Sequence, residues 1–228
     1  MHNVNSNNGD SATKKLVVSA MFCAMAYVAM FVFRFKVSFL TFDFKDVFIS
    51  ILSLLYGPAY GVMSAAVVAL LELVTVSDTG WYGLVMNFLS SGTFALAIGL
   101  IYKYKRTFYG AILAVVTGVV SMVTVMMLAN LFITPFYMGA VRTAVINLIP
   151  SLLLPFNLCK GVMNAAVMLL LYKPVVSLLR KTKLVKTGNS QYGADMKTVL
   201  LMIFSVLFII LSLIVIFIVL DGNYDFFR

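Results

Sequence analysis

The stretch LLPFNLCKGVMNAAVMLLLY, residues 153 to 172, decides the class of the protein. It is almost wholly apolar and has the length an α-helix needs to cross a hydrocarbon core about 30 Å thick. Asn157, Lys160 and Asn164 interrupt it at spacings i, i+3 and i+7, so all three fall on one helical face. Lipid offers an ammonium and two carboxamides no partner, so such a face turns toward a bundle interior or a water-filled cavity.

The rest of the chain agrees with that reading. Of its 228 residues, 62% are hydrophobic and 11% charged, whereas a soluble domain is roughly half apolar and a quarter charged. The apolar runs are too long and continuous for the short alternating strands of a β-barrel. The expected fold is an all-α integral membrane protein with helices at 15–34, 46–56, 58–76, 81–102, 108–133, 149–172 and 197–220. The second is too short to span, and Gly57-Pro58 breaks it from the third, because proline removes a backbone donor and restricts the residue before it.

This reading divides the chain into a disordered cytoplasmic tail (1–13), a six-helix substrate-binding membrane domain (14–181), a linker (182–196) containing KTGNSQYGAD, an additional transmembrane helix (197–220) and an extracellular tail (221–228). The first polar stretch reads as a tail rather than a cleaved signal peptide, since the apolar run after it is as long as a full span and has no clean cleavage site.

The formal net charge is +9. Its basic residues cluster at helix ends: Lys14 and Lys15, then Lys103, Lys105 and Arg106, then Arg180, Lys181, Lys183 and Lys186. An even number of crossings separates these clusters, so all lie on one side, which the positive-inside rule makes cytoplasmic. The expected location is the cell membrane, multi-pass, with the N-terminus inside. Charge confined to helix ends in this way argues against a nucleic-acid partner.

Depth carries the functional signal. Glu72, Asn87 and Asn130 lie within two turns of the outer ends of helices three, four and five, level with Asn157, Lys160 and Asn164 on helix six, while the inner halves carry little comparable. Helix cross-linking accounts for any single asparagine, but six polar groups on four helices at one depth describe a cavity open outward. Lys160 is expected to pair with Glu72 across it. The outer loop FRFKVSFLTFDFK, residues 33 to 45, sets Phe39, Leu40, Thr41, Phe42 and Asp43 beside the mouth, either as a lid over the cavity or as plain apolar burial. Asp46 falls where an N-cap of helix two belongs. Trp81 and Tyr82 suit either ligand stacking or interfacial anchoring.

Catalytic chemistry has no visible set. The chain has no G-x-x-x-x-G-K-[ST], no H-E-x-x-H and no G-x-S-x-G, and its one histidine is His2. An enzyme acting on a lipid or quinone would have only Glu72 and Lys160 for acid–base work, so the chain is read as a non-enzyme without cofactor or metal. Cys23 and Cys159 show no metal spacing. A cavity without an ATP-cradling loop implies a partner that supplies the energy. Ala20 and Ala24 on helix one form a small-xxx-small surface that lets another helix approach, although packing within the subunit accounts for the same pattern.

The runs FLTFDFKDV, LYGPAYGV and LLPFNLCKGVMN, in that order, resemble the riboflavin-specific S components of energy-coupling factor (ECF) transporters, the RibU group, over residues 14 to about 181. The resemblance implies a six-helix bundle with a short second helix, and riboflavin as a transported ligand held near the extracellular face beneath the loop joining helices one and two. It also implies assembly with a transmembrane coupling subunit and two cytoplasmic ATPase subunits. Asn130, Asn157, Lys160, Asn164 and the loop from Phe39 to Asp43 are the positions it assigns to the flavin, and Ala20 and Ala24 those it assigns to the coupling subunit. FMN or another vitamin is the alternative cargo, for which Arg34, Lys36 and Arg142 would suit a phosphate. Two features depart from the family: the added span at 197–220, and Val47-Phe48 where a proline is expected in many relatives.

Overall fold

Helix α1 (Ala12–Val32) opens at Ser11, whose side chain accepts a hydrogen bond from the Lys14 amide at 3.3 Å. The computed structural model describes residues 11–182, 184, 196–220 and 223–224. Helix one thus begins inside the stretch expected as a tail; the remainder of that tail, most of the linker and most of the last eight residues lie outside the described residues.

After α1 the chain forms a β-hairpin, β1 (Phe35–Val37) and β2 (Leu40–Phe42), with Val37 opposite Leu40. The segment expected as a loop is thus paired, in strands of three residues that are too short to show an alternating pattern. Its two-residue turn begins at Ser38, with φ at 56°, in the left-handed region such turns require of their first central residue.

Helix α2 (Lys45–Tyr56) follows, and eight of its twelve residues are buried, including Lys45 and Asp46 at its start. At about 1.5 Å per residue it is roughly 18 Å long, short of a full span. It therefore sits inside the bundle against α1, α3 (Pro58–Thr75), α4 (Gly80–Tyr104) and α7 (Leu154–Lys181). Gly57, at φ 100° and ψ 171°, reverses the chain in a conformation that is essentially glycine's alone, and Pro58 then starts α3 at a position where its missing N–H costs nothing.

Helix α5 (Phe108–Met138) is capped by Thr107 and runs past Pro135 almost to its end, five residues beyond the sequence reading. The stretch 134–147, between the expected helices 108–133 and 149–172, is largely helical. It closes α5 at Gly139, forms α6 (Arg142–Leu148), and passes through a π-helical turn (Ile149–Leu153) into α7, which continues past Pro174 to Lys181. Membrane helices tolerate such prolines because neighbouring groups satisfy the freed carbonyls. Helix α8 (Met196–Ile214) extends through a second π-helical turn (Val215–Val219), and strand β3 (Asn223–Tyr224) pairs with β1, making the sheet order β2-β1-β3. Among the described residues, six helical segments are long and apolar enough to cross a membrane: α1, α3, α4, α5, the continuous run from Arg142 to Leu179, and the run from Val199 to Ile218 that begins in α8.

The main core joins Val18 and Phe22 of α1, Ile51 and Leu52 of α2, Phe94 and Ile98 of α4, Met122 of α5 and Met168 of α7. Gly99 lets α4 approach the break between α2 and α3. A Cβ there would stand 2.9 Å from the Pro58 Cα and against the Ser53 hydroxyl. Gly99→Ala is expected to lower stability by about 1–3 kcal/mol, checked by thermal unfolding of purified protein; an unchanged midpoint would show that α4 yields freely.

Candidate functional site

Beneath the hairpin, between α3, α4, α5 and α7, lies a cavity of about 250 Å³. Behind its wall lies the charged first turn of α2, with Lys45 and Asp46 both buried inside the bundle, and buried charges persist only when paired.

The pairing is a chain of alternating sign. Lys45 Nζ lies 2.6 Å from a Glu72 oxygen and 3.4 Å from Asp43 Oδ2, and Asp43 Oδ2 lies 3.1 Å from Lys160 Nζ. The Lys45 backbone N–H also donates to Asp43 Oδ1 at 3.2 Å. Burial opposes the Asp43 carboxylate, but the ammonium groups of Lys160 and Lys45 outweigh it and lower its pKa to about 2. Asp46 accepts a hydrogen bond from the Ser91 hydroxyl. These contacts correct two expectations. Lys160 does not meet Glu72 directly, because Lys45 and Asp43 stand between them. Asp46 is not the N-cap of α2, which is Phe44, and sits instead in the helix's first turn.

Glu72, Asn87, Asn130, Asn157 and Lys160 all line the cavity, as do Phe39, Leu40 and Thr41 of the hairpin. Asn130 and Asn157 each donate from Nδ2 to the carbonyl four residues earlier, at 2.7 Å, and the Thr134 hydroxyl donates to Asn130 Oδ1 at 2.9 Å. Among the described residues the Asn157 side-chain oxygen accepts no hydrogen bond, which leaves it for a ligand's donor. Phe42, Asp43 and Asn164 stand behind this wall. Phe42 is buried among apolar side chains, and Asn164 Nδ2 donates to the carbonyls of Asp43 and Lys160, both at 3.0 Å, tying the hairpin's exit to α7. The two readings of the outer loop therefore both apply: one part is buried and the other roofs the cavity.

An aromatic arch crosses the mouth, with the ring centroids of Phe39 and Tyr137 6.5 Å apart and those of Tyr137 and Tyr82 6.4 Å apart. Tyr82 lines the cavity, whereas Trp81 is 72% exposed and lies outside it. Lys36 Nζ reaches Asp78 at 3.6 Å, joining the hairpin to the α3–α4 loop. Arg34 also lines the cavity, but Arg142 sits over the Phe132 ring at 5.4 Å, away from it.

Several wall residues escaped the sequence reading. Ser90 and Thr134 lie one helical turn beyond Asn87 and Asn130, on the same faces, and that spacing was the available signal. The Ser90 hydroxyl has no hydrogen-bond partner among the described residues. Tyr137 falls beyond the expected end of helix five at residue 133, so helical spacing could not place it on this wall. Ala20 and Ala24 are exposed on α1, so packing within the subunit does not account for them.

Known proteins share this architecture. Residues 14–172 match the family model described as ECF transporter, substrate-specific component. The chain is 30% identical over 179 residues to "Riboflavin transporter RibU" of Staphylococcus aureus (strain TCH60), covering 74% of this chain and 93% of the relative. It is 29% identical over 175 residues to "Riboflavin transporter FmnP" of Bacillus subtilis (strain 168), covering 70% and 90%. A solved structure described as the S component of a bacterial ECF transporter superposes with a TM-score of 0.64 at 30% identity, covering 75% of this chain and 99% of that one. With a family match over most of its length, a neighbour of the same fold and a polar cavity roofed by the first loop, the chain belongs to the substrate-specific (S) components of ECF transporters, which are binding subunits and not an enzyme family.

Proposed function

We propose that this S component captures riboflavin from outside the cell and hands it to partner subunits for ATP-driven uptake. The observation that carries the reading is the convergence of Asn87, Asn130 and Asn157 from three helices, with Lys160 and Glu72, in one cavity roofed by aromatic rings. Riboflavin offers a flat ring with imide-like edges and a chain of hydroxyls. Carboxamides donate and accept at such an edge, charged groups hydrogen-bond hydroxyls, and aromatic side chains cover the ring. An apolar pocket with a few placed polar groups is the usual design for a small ligand. Two relatives carry riboflavin in their names, which supports the same cargo here.

In this reading the hairpin end faces outward and the basic ends of α1, α4 and α7 face the cytoplasm, as the positive-inside rule requires. Ala20 and Ala24, exposed on α1, form the contact with a transmembrane coupling subunit, which brings two cytoplasmic ATPases.

A second cargo, FMN, is favoured by one observation: Arg34 lines the cavity, and its buried Nε has no hydrogen-bond partner among the described residues. One titration separates the two. Riboflavin added to purified protein is expected to lose its fluorescence on binding, and FMN is expected to compete poorly. Tighter binding of FMN would transfer the assignment to it, and no quenching by either would refute the flavin reading. Adding riboflavin to one face of sealed vesicles tests the orientation.

A further inference from the structure

Helix α8 and strand β3 lie beyond residue 172, where the family match ends. They are nevertheless built into the roof of the cavity. The helix packs along α7 toward the hairpin. There Ile216 and Leu220, both buried, join one apolar cluster with Val37 and Phe42 of the hairpin and Phe156 and Met163 of α7. The Phe217 ring meets that of Phe35 edge to face at 5.4 Å. Strand β3 then pairs antiparallel with β1, Phe35 opposite Tyr224 and Lys36 opposite Asn223.

This placement changes the hairpin's physics. A lone two-stranded hairpin is marginal in stability, and an edge strand leaves backbone groups unpaired. Here β1 becomes the central strand, while β2 on its other side carries Leu40 and Thr41 into the cavity wall. On the cavity side the hairpin is held at its exit by Asn164 and Lys160, which bind Asp43 and the Thr41 carbonyl, and farther out by the partly exposed and therefore weak Lys36–Asp78 pair and the Phe39–Tyr137 ring contact. The apolar cluster and the third strand hold β1, which those exit contacts do not reach.

We propose that α8 and β3 act as a brace that holds the hairpin over the cavity and slows the exit of a bound ligand, with Ile216, Phe217 and Leu220 as positioning residues. The effect on ligand exit rests on the riboflavin reading above; the effect on the hairpin does not. Two readouts keep them apart. In the full chain carrying Ile216→Ala and Leu220→Ala, hydrogen–deuterium exchange at the amides of residues 35–42 is expected to rise about tenfold, with exchange in α4 and α5 unchanged. Riboflavin dissociation, followed by fluorescence recovery, is expected to quicken by a similar factor, with association little altered.

If the double variant fails to fold, Phe217→Ala carries the same test, with an expected rise of about twofold to tenfold from loss of the ring pair. Unchanged hairpin exchange in a folded variant overturns the brace. Faster exchange with unchanged riboflavin release overturns its role in ligand exit. Faster exchange in a chain whose wild type binds no riboflavin upholds the brace and refutes the cargo.

Discussion

Replacing Lys45 by methionine is expected to remove about 3–5 kcal/mol of stability. The two side chains are similar in length, so packing changes little and the loss is electrostatic. Lys45 is 1% exposed and lies within ion-pair distance of both Glu72 and Asp43. Without it, three buried acidic side chains, Asp43, Asp46 and Glu72, face Lys160 as the one remaining ammonium of the cluster. Breaking a buried pair on one side leaves its partner's charge desolvated and uncompensated. The measurement is thermal unfolding in detergent, with Glu72→Gln made alone and combined with Lys45→Met. The double variant is expected to be more stable than the sum of the single losses implies, because its second change removes the orphaned charge. Strict additivity would show that the 2.6 Å contact contributes no coupling.

Asn157→Ala is expected to weaken riboflavin binding by about tenfold to a hundredfold while leaving the unfolding midpoint nearly unchanged. The residue lines the cavity, and among the described residues its side chain makes one hydrogen bond, which runs back to the Leu153 carbonyl one turn earlier. That carbonyl keeps its place in the helix when the carboxamide is removed, so the loss falls on the ligand. Asn164→Ala provides the contrast. Its side chain lies behind the wall and joins Asp43 to Lys160 through their carbonyls, so its removal is expected to lower stability first. Calorimetric titration beside thermal unfolding separates the two patterns. A stability loss at Asn157 equal to that at Asn164, with riboflavin affinity intact, would remove Asn157 from the binding surface.

Much of this architecture was legible in the sequence. Apolar run length alone sets the number of spans, because a bilayer demands about twenty residues of helix whatever their order. The stripe of Asn157, Lys160 and Asn164 was legible because helical spacing is local. Gly57-Pro58 marked the break after α2 for the same reason. Boundaries were less secure where helices continued through Pro135 and Pro174, since tertiary neighbours decide whether a freed carbonyl finds a partner.

The hairpin was not legible. Its strands are three residues each, too short to display a period, and one of its pairings comes from a strand almost two hundred residues away. Depth in the membrane put Glu72 and Lys160 on one level, and that much followed from counting residues along helices. Counting does not say which opposite charge stands closest. The order Glu72, Lys45, Asp43, Lys160 joins residues as much as 117 positions apart, and only the packing of α2 between its neighbours selects it. Hydrophobicity and helical period are properties of a segment, so the amino-acid order determined the spans and the polar face; a buried charge must find its partner in space, so the tertiary structure alone decided the pairing, the roof and the cavity beneath it.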